Sequence, residues 1–285
     1  MKKCAIYTLY KPDSNLIKRI HAVYDFFDLI IFVDNTPGGY DFKFLPEKIK
    51  LYSDGFNKGL PNALNIGLQI AYENNMDYVY LFDQDSSPDN LVVKKLLESI
   101  IGYPYQNIIV GPLHIDDANI PSELDSNSSE YEYFNSKCLA TSGIAFKLTS
   151  TILKFKFDES LFLDLVDFDW CWRLELNGFK VFKILNIKMP HRLGICQRNF
   201  CGIIYHIPAP FRHYFQFRDS LRMAMRPYVP IKSKIRLLGI LPIKLIFYPI
   251  IMDDGFKRFK WMIKGIYSFA IKKYNIGLAY SFLSR

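Results

Sequence analysis

Several absences narrow the reading at once. Cysteine is scarce, and the five present (Cys4, Cys138, Cys171, Cys196 and Cys201) form an odd set with no CxxC spacing. That argues against a disulfide framework or a thiolate zinc site and suits a reducing compartment. No GxGxxG and no P-loop occurs, which disfavours nucleotide binding through a glycine loop. There is no internal repeat and no low-complexity tract. The most apolar stretch, 235–252, carries Arg236, Lys244, Pro242 and Pro249, whereas a spanning helix needs about 20 residues with few or no charges. Met1-Lys2-Lys3 leads straight into a strand, without the apolar region and cleavage site of a signal peptide. A cytoplasmic location is the simplest expectation. Acids are missing from the end of the chain: from Lys232 to Arg285 there are eleven Lys/Arg against Asp253 and Asp254 alone. The net charge of +8 therefore belongs to the tail, and the body makes no general case for nucleic acid.

What is present is apolar and aromatic. Half of the 285 residues are hydrophobic and 16% aromatic, enough for one large domain or a domain of about 220 residues with an appendage. Apolar runs at Cys4–Leu9, Leu29–Val33, Ile49–Tyr52, Tyr78–Phe82 and Ile108–Val110 read as strands. Between them, Asn15–Phe27, Pro61–Asn74 and Asn90–Ile101 read as helices. Continuous apolar strands alternating with helices imply a parallel sheet covered on both faces, with ligands taken at the carboxyl ends of the strands. Tyr10, Asn57, Asp34 and the pair Asp83/Asp85 each follow or end a strand and should share that rim. Asp83 and Asp85 are two apart in Asp83-Gln84-Asp85, so alternation aims both carboxylates one way, and such a pair can hold a divalent cation against a phosphate.

Downstream, 116–133 is acidic and Ser/Asn-rich, and reads as a surface loop. Leu139–Phe146 reads as a strand containing Ser142-Gly143, where a backbone could approach a ligand. Asp164, Asp167 and Asp169 fall within six residues among aromatics, and a carboxylate so placed can act as a general base. His191 follows a strand expected at Lys180–Leu185, and Arg212 and Arg218 stand among aromatics where guanidinium forks suit phosphate. In the tail, Phe256, Phe259, Met262, Ile263, Ile266 and Ala270 share a helical face with Lys257, Lys260 and Lys264 alongside. That is the pattern of a helix lying on anionic lipid.

Together these residues resemble the family 2 glycosyltransferases of the GT-A fold, most closely the bacterial rhamnosyltransferase branch. The resemblance runs from about Ile6 to Leu221. It rests on Tyr7-Thr-Leu-Tyr-Lys-Pro12, Val33-Asp-Asn-Thr36, Asn57-Lys-Gly-Leu60, Leu81-Phe-Asp-Gln-Asp-Ser86, Ser142-Gly143, Phe157–Asp164, Val166–Arg173, His191-Arg-Leu-Gly194 and the Arg212/Arg218 segment. It implies an α/β, Rossmann-like mixed sheet with helices on both faces as residues 1–228; beyond it, the apolar and basic pattern of residues 229–285 reads as a helical, membrane-associating extension. It also implies Thr8, Tyr10 and Asp34 on the nucleoside, Asn57, Gln84 and Arg212 on the nucleotide sugar, and Asp83, Asp85 and His191 around Mg²⁺ or Mn²⁺. Asp167 becomes the base, although Val166 stands where the family has Glu, and Asp164 and Asp169 stay open as alternatives.

The expected activity is inverting, metal-dependent transfer of L-rhamnose from dTDP-rhamnose to a polyprenyl-diphosphate-linked glycan in cell-surface polysaccharide assembly, at the inner face of the cell membrane. UDP-galactose, UDP-galactofuranose or UDP-glucose as donor, an inactive scaffold, and a nucleotidyltransferase are the rival readings. The oligomeric state, a homodimer included, is left open.

Overall fold

A computed structural model describes residues 1–115, 130–190, 197–200, 203–206 and 208–272. The chain divides into two compact units, Met1–Glu159 with Trp170–Arg192, and Ser160–Asp169 with Leu193–Arg285. Residues 160–169 and 193–228 therefore group with the helices of the tail, whereas sequence alone suggested a boundary at 228/229.

The first unit is built on an eight-stranded sheet. Its strands are β1 (Lys3–Leu9), β2 (Leu29–Asp34), β3 (Ile49–Ser53), β4 (Tyr78–Asp83), β5 (Ile108–Ile115), β6 (Tyr133–Asn135), β7 (Ile144–Lys147) and β8 (Lys180–Pro190), in the order β3-β2-β1-β4-β7-β5-β8-β6. β1 pairs in parallel with β2 and β4, β2 with β3, and β5 with β8. The all-parallel expectation is corrected at two strands: β7 runs antiparallel between β4 and β5, and β6 runs antiparallel along β8. The sheet is thus mixed, as the GT-A resemblance implied.

Alternation along β1 shows how both faces are covered. Ala5, Tyr7 and Leu9 join a core with Leu16 and Ile20 of α1 (Leu16–His21) and with Val92, Val93, Leu96 and Leu97 of α3 (Asn90–Ile101). Ile6 points the other way, against α2 (Leu60–Glu73), where a Cβ on Gly67 would stand 2.4 Å from Ile6 Cγ2. Only glycine lets that helix lie so close to the strand. α3 begins where the sequence placed it, with Asp89 accepting from Val92 N at 2.7 Å as its N-cap. The first helix is shorter than expected: it stops at His21, and a 3₁₀ turn, Tyr24–Phe26, follows. That turn sets Phe26 and Phe27 edge-on to Tyr80 at 5.8 and 5.1 Å, so aromatic packing overrides the helical period.

The second unit contains the hairpin β9 (Gln197–Phe200) and β10 (Ile203–His206), then α6 (Arg212–Met225), α7 (Ile231–Ile251) and α8 (Gly255–Ala270). Phe162 stacks on Phe215 at 4.4 Å. Phe217, Leu241 and Met262 bury one another where the three helices meet. The short α4 (Ser150–Leu153) belongs to the first unit, and α5 spans Val166–Leu176. Among the described residues no helix is long and apolar enough to cross a membrane.

Candidate active site

In the first unit, the sheet register gathers the expected residues at the carboxyl ends of three adjacent strands. Leu9 of β1 is level with Asp34 of β2, and Thr8 is level with Asp83 of β4. One step beyond, the backbone N–H of Tyr10 donates to Gln84 Oε1 at 2.7 Å, and that of Lys11 to Thr36 Oγ1 at 2.8 Å. Asp34 is buried; its two oxygens accept from the N–H groups of Thr36 (2.9 Å) and Tyr40 (2.7 Å) and so shape the loop after β2. Asn57 is also buried and accepts from Gly59 N at 3.0 Å, opening α2 with an Asx turn. The Asn35 side chain donates to Gly59 O at 3.0 Å, tying the β2 loop to that turn.

The Asp83-Gln84-Asp85 turn is fixed from both sides. Arg19 of α1 donates through Nη2 (2.7 Å) and Nε (3.2 Å) to the Gln84 carbonyl, and its Nη1 pairs with Asp13 at 3.0 Å. On the other side, the Asp83 N–H donates to Ser86 Oγ at 3.0 Å. Ser86 Oγ is in turn 2.6 Å from Ser142 Oγ, and both serines are buried. His114 Nε2 lies 2.9 Å from the Ser142 carbonyl. With its backbone held this way, the turn leaves Asp83 half-buried and Asp85 exposed. Neither Arg19 nor the Ser86–Ser142 pair was singled out by sequence reasoning. Only the position of Arg19 on the first helix hinted at it, because the contacts span 65 and 56 residues.

Two expectations change here. Gln84 spends its side-chain oxygen on Tyr10 N, so it joins the first and fourth strand ends. Gly143 (φ +88°) does not offer backbone to a ligand: a Cβ there would meet Pro112 side-chain atoms at 2.9 Å and Met189 Cε at 3.1 Å. It is glycine because β7 packs closely inside the sheet. His191 follows Pro190 at the end of β8 and lies outside the described residues, as does the expected acidic loop as far as 129. Among the described residues no group of three or more His, Cys, Asp or Glu side chains is arranged to hold a metal.

In the second unit the acidic segment resolves into three separate roles. Asp169 is fully buried, ion-paired with Arg226, and accepts from Tyr228 Oη at 2.5 Å. That is a structural pairing, and it removes Asp169 from the candidates for a base. Asp164 Oδ1 takes Arg212 Nη2 at 2.5 Å. Asp167, in the first turn of α5, accepts the N–H of Phe168 at 2.9 Å. Burial, helped by the charge of Asp164, pushes its pKa up to about 6. Just before it, Leu165 adopts φ +67°, a left-handed conformation costly for so bulky a residue and the kind of strain that gathers at functional sites. Arg218 is corrected: it is buried in α6 against Asp219 (2.7 Å) and donates to Ser160 O at 3.1 Å, so it is unavailable to phosphate. Arg212 is more open, and its Nε has no partner.

A carboxylate pair at the end of a central strand, beside a second strand end in register, lies on the rim where open α/β sheets take their ligands. The family model for glycosyl transferase family 2 matches residues 15–162, just over half of the chain. The chain belongs to glycosyl transferase family 2. It is a glycosyltransferase of the GT-A fold. A protein similar to this family 2 enzyme is the dTDP-rhamnosyl transferase RfbF of Shigella flexneri, 29% identical over 203 residues that cover 67% of this chain and 68% of that one. Among solved structures, S. aureus TarS 1-349 aligns with a TM-score of 0.55 at 12% identity, over 96% of this chain and 82% of that chain. GalNAc-T7 with UDP, GalNAc and Mn2+ aligns with a TM-score of 0.54 at 14% identity, over 96% of this chain. This chain spans only 58% of the GalNAc-T7 chain. At such identities the likeness is one of fold.

Proposed function

We propose that this glycosyltransferase moves L-rhamnose from dTDP-β-L-rhamnose, with inversion, onto a polyprenyl-diphosphate-linked glycan during cell-surface polysaccharide assembly. The observation that carries the donor is the 29% identity to a dTDP-rhamnosyl transferase over two thirds of both chains. The rim at Thr8, Tyr10, Asp34 and Asn57 supports a nucleoside seat.

The donor set at Asp83 and Asp85 is all carboxylate oxygen, which suits a hard divalent cation such as Mg²⁺ or Mn²⁺. Those two residues would hold it, with the remaining positions open to diphosphate oxygens and water. When bound, the ion supplies Lewis-acid stabilisation of charge on the departing dTDP. Asp83 and Asp85 themselves are kept in place by the backbone bonds from Arg19 and to Ser86. Asp167 takes the proton of the acceptor hydroxyl as that oxygen bonds to the anomeric carbon and the carbon–diphosphate bond breaks. Its burial suits the task, because a base with pKa near 6 is ionised at neutral pH and still holds a proton better than an exposed aspartate. Arg212, whose guanidinium is held by Asp164, is the cation assigned to the diphosphate.

The test is a donor-hydrolysis panel. Release of dTDP from dTDP-rhamnose, dependent on Mg²⁺ or Mn²⁺ and stopped by a chelator, is the expected result. Turnover of UDP-glucose, UDP-galactose or UDP-galactofuranose with none of dTDP-rhamnose overturns the donor assignment.

A further inference from the structure

The sequence singles out α8 as the lipid-facing helix, but the structure divides that task differently. Met262 of α8 is fully buried, and Ile266 packs against the cluster it forms with Phe217 and Leu241. The larger uncovered apolar surface lies on α7. One side of that helix, at Leu241, Leu245 and Tyr248, packs in the same cluster. The opposite arc carries Ile243, Ile246, Phe247 and Ile250, exposed at 51, 59, 52 and 77%. From residue 237 to the end of the helix the only charge is Lys244, which lies on the packed side and donates to Gln216 at 3.1 Å. The first turns of α7 add the exposed Lys232 and Arg236. On α8, exposed Phe256 and Ile263 sit beside Lys257, Lys260 and Lys264, with Lys260 over the Phe256 ring at 4.4 Å. The acids of the helical pair are Asp253 and Asp254, both in the turn between the helices.

We propose that the exposed arc of α7, together with the exposed lysines of α8, is a docking surface for an anionic lipid bilayer, with α7 lying in the interface. Charge decides among occupants. A helical pair that exposes Lys232, Arg236, Lys257, Lys260 and Lys264 and has only Asp253 and Asp254 as acids repels a second copy of itself, while anionic headgroups neutralise these cations as the isoleucines enter the acyl region. The charges and prolines of α7 fit a helix lying on a membrane rather than crossing it. The inference does not depend on which sugar is transferred.

The experiment is co-sedimentation of the full chain with phosphatidylcholine vesicles, with and without phosphatidylglycerol. The expected result is binding that is about tenfold or more stronger with phosphatidylglycerol. Combining Ile243→Ser, Ile246→Ser and Ile250→Ser should cost about tenfold or more on either vesicle. Combining Lys257→Glu, Lys260→Glu and Lys264→Glu should remove the preference for phosphatidylglycerol. Donor hydrolysis without vesicles, unchanged in both variants, reports folding and reads the proposed chemistry separately. In the wild-type protein, amide hydrogen exchange along α7 should slow when phosphatidylglycerol vesicles are added. Vesicle binding untouched by the isoleucine changes overturns the proposal. So does a wild-type dimer that those changes dissociate, or α7 exchange that is already slow without lipid and does not respond to it.

Discussion

At the scale of single residues, the environment of Asp167 makes a pH prediction for its proposed role as the base. Its pKa is pushed up to about 6 by burial and by Asp164. If it is the base, the acidic limb of kcat/KM has its midpoint near that value, and activity rises as pH increases through it. Asp164→Asn removes the neighbouring negative charge and should move the midpoint to lower pH. Asp167→Asn should lower kcat by about 10²–10⁴-fold. Stability runs the opposite way. The folded protein holds the proton where the unfolded chain, near the ordinary value of 3.8, has released it. This residue's contribution therefore falls as pH rises from about 4 to about 6 and is flat above, so Asp167→Asn should melt no lower, and by the same linkage somewhat higher, at neutral pH. Asp167→Asn with wild-type turnover would return the role to Asp164.

Between single residues and whole elements lies the turn after β4, which is held rigid by groups distant in sequence. Arg19→Met should leave the strands intact but free the Gln84 carbonyl. Its expected signature is weaker Mg²⁺ and donor binding, read as a rise in the apparent constants for both, with a smaller change in Tm. Ser86→Ala deletes the acceptor of the Asp83 N–H and the buried partner of Ser142, which should cost about 1–3 kcal/mol of stability. Equal loss of kcat from Arg19→Met with unchanged donor and metal constants would rule out the positioning role. These same contacts mark the limit of what could be read in advance. β1, β2 and β4 were legible because each is a continuous apolar run, and the start of α3 was legible from Asp89, whereas β6 (Tyr133–Asn135) has no such run and was not read. The reversed direction of β7 was not, because an apolar run carries no sign of which way it points. The fates of Asp164, Asp167 and Asp169 were equally hidden. They are chemically alike in sequence and are separated by Arg212 and Arg226, 48 and 57 residues away.

Charge is the property that organises the whole molecule. The excess of cations lies in the tail, while the residues before it are close to neutral. Two forces therefore act on the lipid-facing helices with different dependence on salt. Attraction of each Lys or Arg to an anionic surface is worth about 1 kcal/mol near the bilayer and fades within a Debye length. That length shrinks from about 10 Å at 0.1 M to about 3 Å at 1 M. Insertion of Ile243, Ile246 and Ile250 is apolar transfer, which salt does not screen. Raising salt from 0.1 to 1 M should weaken binding to phosphatidylglycerol vesicles by on the order of a hundredfold, corresponding to several screened cations, and leave the weaker binding to phosphatidylcholine almost unchanged. Partition measured on both vesicles across that range separates the two contributions. Binding to phosphatidylglycerol that ignores salt would mean that the lysines of α8 take no part. Complete loss on both vesicles would mean that the isoleucine arc of α7 does not enter the bilayer.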